Sequence, residues 1–355
     1  MASKRPASIQ DVATTAGVST ATVSRVINNA ALVAPETAKR VAKAIAELGY
    51  KPNLFAQGLM TRKSHVLGIA LPDIHGEFYS ELLRGADAEA RRLGYHLLVS
   101  SEAHSRDEQR RDGSLAFGLI DGLAVMITEP NEPLWTEARN ASLPLVVLDA
   151  DLRPRGFDSV VVDNATGTRE ATRHLLGGRP PYAPDRCYFV GGPRENFDTC
   201  ARADVFLDTL REAGGGEATV SADAVSFGDY SLQWGEKWAT DAHRRGVLNG
   251  AGVLAGNDEI ALGILQTARQ FNIRVPRDLR VVGFDDTRLA SLVKPSLSTV
   301  RVPLAEVGAA AVRALVERIA EPEREPKTVT LATELVVRES SAIAPADDGK
   351  LERRL

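Results

Sequence analysis

Within residues 8–50 the chain sets out three apolar stripes at helical spacing, each closed by a turn after only two to four helical turns. Ile9, Val12, Ala13 and Ala16 fall at i, i+3, i+4 and i+7, with Ser8 placed as an N-cap, and Gly17 ends this first helix. Ser19 can cap a second, in which Val23, Val26 and Ile27 face inward and Thr20, Ala21, Ser24 and Arg25 face outward. A third starts with Pro35 at its first position, carries Val41, Ile45 and Leu48 on its apolar side and pairs Lys43 with Glu47 on its surface. Three such helices around one small core make a helix-turn-helix domain. The outward row of the second helix is small, polar and basic, so it can approach base edges in a DNA groove.

Charge points the same way. Residues 1–64 hold nine Lys or Arg against three Asp or Glu, a formal +6, whereas the remainder holds 34 against 44, or −10. The formal total of −4 conceals this division. A basic module on an acidic body is the electrostatic footprint of a protein that docks one end on phosphates.

The stretches GVSTATVSRVIN, VAKAIAELGYKPN and AQGLMTRKSHVLGIALPD resemble the LacI/GalR family of bacterial transcriptional regulators, and the resemblance runs along nearly the whole chain. It implies that Thr20, Ala21 and Arg25 read bases in the major groove while Ser8, Thr22, Ser24 and Asn28 hold phosphates. Ser19, Tyr50, Asn53 and Ala56 join that DNA-binding set, residues 53–64 form a hinge helix, and Leu59 inserts into the minor groove at the operator centre. Two positions depart from the family pattern: Ala34 stands where a hydroxyl cap is usual for the third helix, and Gly58 lies inside the hinge. A glycine there costs about 1 kcal/mol of helix stability relative to alanine, so the hinge is expected to fold only on DNA.

From His65 onward, short apolar runs alternate with amphipathic helices: VLGIAL, YHLLVSS, DGLAVMIT and PLVVLDA, then DSVVVDN, CYFVGG, a strand within 220–227, GVLAGND and LRVVGFDD. A helix over 199–213 separates CYFVGG from the strand that follows. This is a doubly wound α/β pattern in two series, which predicts two lobes flanking a cleft. The expected organisation is a helix-turn-helix domain at 1–52, a hinge at 53–64, an α/β core of two lobes at 65–340 and a disordered tail at 341–355. By resemblance the core has the periplasmic-binding-protein fold, with the chain crossing between lobes near Asp163, Asp286 and Pro322.

Polar residues stand at the strand ends of that core. Asp149 ends PLVVLDA, Asn257 ends GVLAGN, Asp285 ends LRVVGFD, and Arg202 lies early in the helix after CYFVGG. The resemblance assigns these four to gripping sugar hydroxyls, and carboxylates, an amide and a guanidinium suit that task. It places the aromatic faces of Phe78, Tyr79 and Tyr230 over a flat ligand. Arg202 is expected to face Asp149, Asn257 and Asp285 across the cleft. The effector is read as a sugar or glycoside, with a nucleobase acting as corepressor the alternative; a sugar-binding protein without DNA function would leave residues 1–64 unexplained.

Other classes find little support. The longest apolar runs are of strand length, which excludes a membrane-spanning helix, and the MASKRPAS start lacks the apolar stretch of a signal peptide, so a cytoplasmic protein is expected. Cys187 and Cys200 have no Cys or His at metal spacing and read as reduced core residues, with no metal or cofactor implied. Adjacent Asp285 and Asp286 point to opposite faces and cannot share one substrate atom, Gly191-Gly192-Pro193 lacks the spacing of a dinucleotide loop, and no nucleophile elbow occurs. An enzyme is therefore not expected. The partners implied are a palindromic double-stranded operator, a small effector and a second copy of the chain. The C-terminal residues have too few apolar positions for a heptad seam, so assembly should stop at a dimer.

Overall fold

The computed structural model describes residues 7–29, 33–50, 63–101, 119–128, 143–177, 184–214, 220–221 and 223–342. The chain divides into two units between His65 and Val66.

The first unit is the three-helix domain: α1 (Ile9–Ala16), α2 (Thr20–Asn29) and α3 (Pro35–Leu48). Ser8 and Asp11 form a reciprocal capping box at the start of α1: the Asp11 amide donates to Ser8 Oγ at 3.3 Å and the Ser8 amide to Asp11 Oδ2 at 2.8 Å. Gly17 closes the helix at φ 64°, a left-handed conformation that glycine adopts at little cost. Ser19 caps α2 by accepting the Thr22 amide at 3.2 Å. Ala34 gives α3 no side-chain cap. The core is small: Val12, Ala13, Ala16, Val23, Val41 and Ala44 are buried, with Ile9, Val18, Val26, Ile27, Ile45 and Tyr50 packed around them. The expected stripe on α3 needs one correction, because Leu48 is 37% exposed and Ala44 fills the interior instead. Ala44 sits on the buried side between Val41 and Ile45, whereas Leu48 belongs to the last turn, beyond the reach of α1 and α2. The proposed hinge, with Asn53, Ala56, Gly58 and Leu59, and the side chain of Asn28 lie outside the described residues.

The second unit holds two six-stranded sheets. The first contains β1 (Val66–Leu71), β2 (His96–Ser101), β3 (Gly122–Met126), β4 (Leu145–Leu148), β5 (Asp158–Val162) and β11 (Thr328–Leu331), in the order β11-β5-β4-β3-β1-β2, with all pairs parallel. The second contains β6 (Cys187–Gly191), β7 (Val225–Phe227), β8 (Ala251–Ala255), β9 (Leu279–Asp285), β10 (Ser298–Arg301) and β12 (Glu334–Val336), in the order β12-β10-β9-β8-β6-β7, parallel except for β10 against β12. Burial on both faces explains the unbroken apolar runs. Along β9, Val282 and Phe284 enter one core cluster while Val281 enters another.

Helices α4 (Gly76–Arg92) and α10 (Leu304–Ala320) pack together on the first lobe. Helices α5 (Asn164–Leu176) and α6 (Phe197–Gly214) cover one side of the second lobe, and α7 (Leu232–Arg244) and α8 (Asp258–Gln270) pack together on it; α9 (Arg288–Leu292) is a short piece after β9.

The chain passes between lobes after β5, near Asp163, as expected, but the other two crossings differ. They lie at Val302–Pro303, where β10 leads into α10, and at 332–333, between β11 and β12. Asp286 follows β9 within the second lobe, and Pro322 lies between α10 and β11 within the first. A pattern of strands and helices does not reveal which sheet each strand joins, and this misplaced the crossings. Ser341 also belongs to the core and not to a tail: it is fully buried, its hydroxyl donates to Ser298 Oγ at 2.7 Å, and His174 Nε2 lies 2.8 Å from it. Cys187 is buried, but Cys200 is exposed, its thiol donating to the Arg194 carbonyl, because it sits on the outer side of α6. Among the described residues no helix is long and apolar enough to cross a membrane, and no cluster of metal-ligating side chains occurs.

Candidate DNA surface and effector cleft

The helical unit presents the outward row of α2 as anticipated. Ala21 and Arg25 are exposed, and Thr20, Thr22 and Ser24 are partly so, while Val23 beside them is fully buried. The hydroxyls of Ser19 and Thr22 lie 3.0 Å apart, and that of Ser8 donates to Asp11 Oδ2 at 2.7 Å. Several of the residues assigned to DNA therefore also build the helix starts. Lys39, Arg40 and Lys43 on α3 are exposed too, so the module carries its positive charge on its surface.

In the core, a cavity of about 520 Å³ opens between the lobes, and all seven of the residues singled out from sequence line it: Phe78, Tyr79, Asp149, Arg202, Tyr230, Asn257 and Asp285. Their convergence follows from parallel topology, because the carboxyl ends of β1, β3, β4, β6, β7, β8 and β9 all turn toward this space. Asp149 and Asp285 sit at strand ends with φ of 69° and 110°, backbone conformations that non-glycine residues adopt only when their surroundings hold them. Phe78 and Tyr79 meet edge to face, with ring centroids 5.1 Å apart.

Arg202 is the most constrained member. It is 4% exposed, and its guanidinium lies over the Phe284 ring at 3.7 Å. It donates to Asn164 Oδ1 at 2.7 Å, to the Gly256 carbonyl at 2.7 Å and to Asp198 Oδ2 at 2.9 Å. These bonds differ from the expected pairing with Asp149, Asn257 and Asp285. Asp198 lies one turn earlier on α6 and reaches the guanidinium first, so Arg202 is pinned within its own lobe while still lining the cavity.

Asn257 is likewise committed in part. Its amide oxygen caps α8 by accepting the Ile260 amide at 2.9 Å, and its amide nitrogen donates to the Tyr230 carbonyl at 3.3 Å. The Tyr230 hydroxyl lies 2.6 Å from Thr199 Oγ1 and donates to Asn196 Oδ1 at 3.1 Å. Its ring fits only because residue 192 is glycine, since a Cβ there would stand 2.5 Å from the Tyr230 ring.

Asp149 and Asp285 behave otherwise. Among the described residues no side chain or backbone amide donates to either carboxylate, although Asp285 is only 6% exposed. Burial pushes both carboxyls well above the usual carboxylate range. Asp198 adds to this at Asp149, and Arg202 opposes it at both. Burial also raises the phenols of Tyr79 and Tyr230, so both stay protonated donors. Asp286 turns away from Asp285 to bind Arg301 and Arg338, each at 2.6 Å, as the opposite-face argument requires.

Sequence reasoning missed Asp198, Asn196, Asp73 and His75, which also line the cavity, and Asn164, which braces Arg202. Asp198 could have been found as the i−4 partner of Arg202 on one helix. Asn164 lies 38 residues from Arg202 and left no such signal.

Comparison with known proteins accords with both halves. The model of bacterial regulatory proteins, lacI family, matches residues 8–53, and that of the periplasmic binding protein-like domain matches residues 185–341. The chain is 32% identical to the HTH-type transcriptional regulator RegA of Clostridium saccharobutylicum, over 94% of this chain and 99% of that one. It is 30% identical to the ribose operon repressor of Escherichia coli (strain K12), over 94% and 100%. Among solved structures, a lac repressor dimer bound to operator and the anti-inducer ONPF matches with a TM-score of 0.82 at 26% identity, covering 95% of this chain and 99% of that one. A complex of the transcriptional regulator CelR with cellobiose matches at 0.69 and 29% identity, over 94% and 99%. A helical unit with an exposed recognition row, joined in one chain to a two-lobed α/β core and shared with these relatives from end to end, places this protein in the lacI family of bacterial regulatory proteins.

Proposed function

We propose that the chain is a cytoplasmic repressor that binds a palindromic operator as a homodimer and releases it when a sugar or glycoside fills the cleft. The observation that carries this reading is the convergence of Asp149, Arg202, Asn257 and Asp285 with three aromatic side chains on one cavity, in a chain whose other unit exposes Thr20, Ala21 and Arg25 on a single helix. The lac repressor dimer on its operator and the CelR complex with cellobiose are relatives that support the DNA and sugar halves respectively. A dimer is required physically, because one helix-turn-helix with few base contacts binds weakly and two half-sites need two recognition helices. Leu98 and Val99, 38% and 42% exposed on the edge strand β2, supply apolar surface that a second copy can cover.

Ser8, Ser19, Thr22, Ser24, Asn28 and Tyr50 are assigned to the phosphate-facing side, with Asn53, Ala56 and Leu59 in a hinge that follows. In the cleft the lobes touch directly: the Phe197 amide donates to the Thr128 carbonyl at 3.0 Å and the Leu289 amide to Glu77 Oε2 at 3.2 Å. A ligand that binds one lobe arrangement better than another shifts their balance, and the DNA affinity of the dimer with it. The test is a mobility-shift titration on palindromes of roughly 14–20 base pairs, repeated across salt and with sugars or nucleobases added. A sequence-selective complex that weakens steeply with salt and is released by a sugar is expected. A complex that forms only when a nucleobase is present would reverse the reading.

A further inference from the structure

The cleft contains more negative charge than its own cations can balance. Its two basic side chains are already engaged: Arg202 pairs with Asp198 at 2.9 Å, and His75 Nδ1 lies 2.6 Å from Asp73. Asp149 and Asp285 face the same cavity with no hydrogen-bond donor among the described residues, and Asp285 is 94% enclosed, at 6% exposure. The hydroxyls of a neutral sugar could donate to these carboxylates but would leave two like charges uncompensated in a closed space, whereas one cation placed between them relieves both. An ammonium group also makes charge-assisted hydrogen bonds, which are stronger than those from neutral hydroxyls, and is attracted to aromatic faces such as those of Tyr79 and Tyr230, which line the same cavity. A phosphorylated sugar would meet repulsion here.

We infer that the effector of this cleft is a sugar bearing a protonated amine, its ammonium group held between Asp149 and Asp285. The inference rests on reading the cleft as a sugar site and specifies the chemistry of the sugar. Calorimetric titration of the full-length protein tests it, with D-glucosamine, D-galactosamine and D-mannosamine each set against its parent hexose and its N-acetyl derivative, and with adenine and guanine alongside. At least one amine should bind about tenfold more tightly than both its neutral counterparts, and Asp285→Asn should abolish that preference. Neutral sugars binding as tightly as the amines would overturn the inference while leaving the sugar reading intact. Nucleobases binding where no sugar does would overturn both. Failure of every amine to bind at about 10 mM would also overturn the inference. The wild-type comparison decides the matter even if the Asp285→Asn protein fails to fold.

Discussion

The recognition row of α2 and the wall of the cleft use burial in opposite ways. On α2, six consecutive residues from Thr20 to Arg25 supply the surface, and only Val23 among them is buried, so the fold hardly depends on what the outward ones are. In the cleft, the candidate residues are drawn from positions 78–285, and several serve as both wall and scaffold: Arg202 ties α6 to Asn164 and the Gly256 carbonyl, and Asn257 caps α8. Changes in the first region should thus alter binding alone, and changes in the second should alter stability and binding together.

The largest effect that sharpens this contrast should come from Arg202→Ala. Removing the guanidinium leaves Asp198 unpaired in a partly buried setting and strips a donor from the Gly256 carbonyl, at a cost of about 3–5 kcal/mol of core stability. Urea unfolding should show the loss as a lowered midpoint with unchanged slope. An unaltered midpoint would mean that Arg202 is not the scaffold described here.

Next in size is a pH effect confined to the core. Asp258 is pushed up to about 7 by burial, against the bonds it accepts from Thr299 and Thr287, and Asp149 and Asp285 are raised for the same first reason. A folded-state pKa above the unfolded value stabilises most below the unfolded value, and that contribution is lost as pH rises through the folded one. The melting temperature of the unliganded core should therefore fall between about pH 5 and pH 8, by the equivalent of about 2–3 kcal/mol. Asp158, lowered by Arg318 and Arg324 against its burial, acts in the opposite direction only at more acidic pH. A flat thermal profile across that window would contradict the charge state assigned to the cleft.

Arg25→Ala should then cost about 2 kcal/mol in discrimination between operator and scrambled DNA while leaving the unfolding midpoint where it was. Titration of both DNAs with the variant checks this; a drop in stability would show that the row is not independent of the helical core. Smallest is Ser8→Ala, which removes the capping box of α1 and should lower the stability of the helical unit by about 1 kcal/mol, read as a shift in its own thermal transition.

What could be read directly from the sequence was local. The stripe of Ile9, Val12, Ala13 and Ala16, the Ser8 and Ser19 caps, the stop at Gly17 and the strands from VLGIAL to LRVVGFD all depend on periodicity and backbone preference over a few residues, and each appears close to its expected place. The seven cleft positions were legible because residues at the carboxyl ends of parallel strands must share one edge of a sheet, and family resemblance marked which of them matter. Tertiary structure alone decided which sheet β10, β11 and β12 join, and hence that the lobes are linked at Val302–Pro303 and at 332–333. It also decided that Ser341 closes a buried hydroxyl cluster, that Arg202 bonds to groups 38 and 54 residues away, and that Asp149 and Asp285 are left without donors. The physical reason is that partners in a buried polar network are chosen by long-range packing, which brings distant segments within hydrogen-bond reach only after the sheets have formed, and no spacing along the chain records that choice.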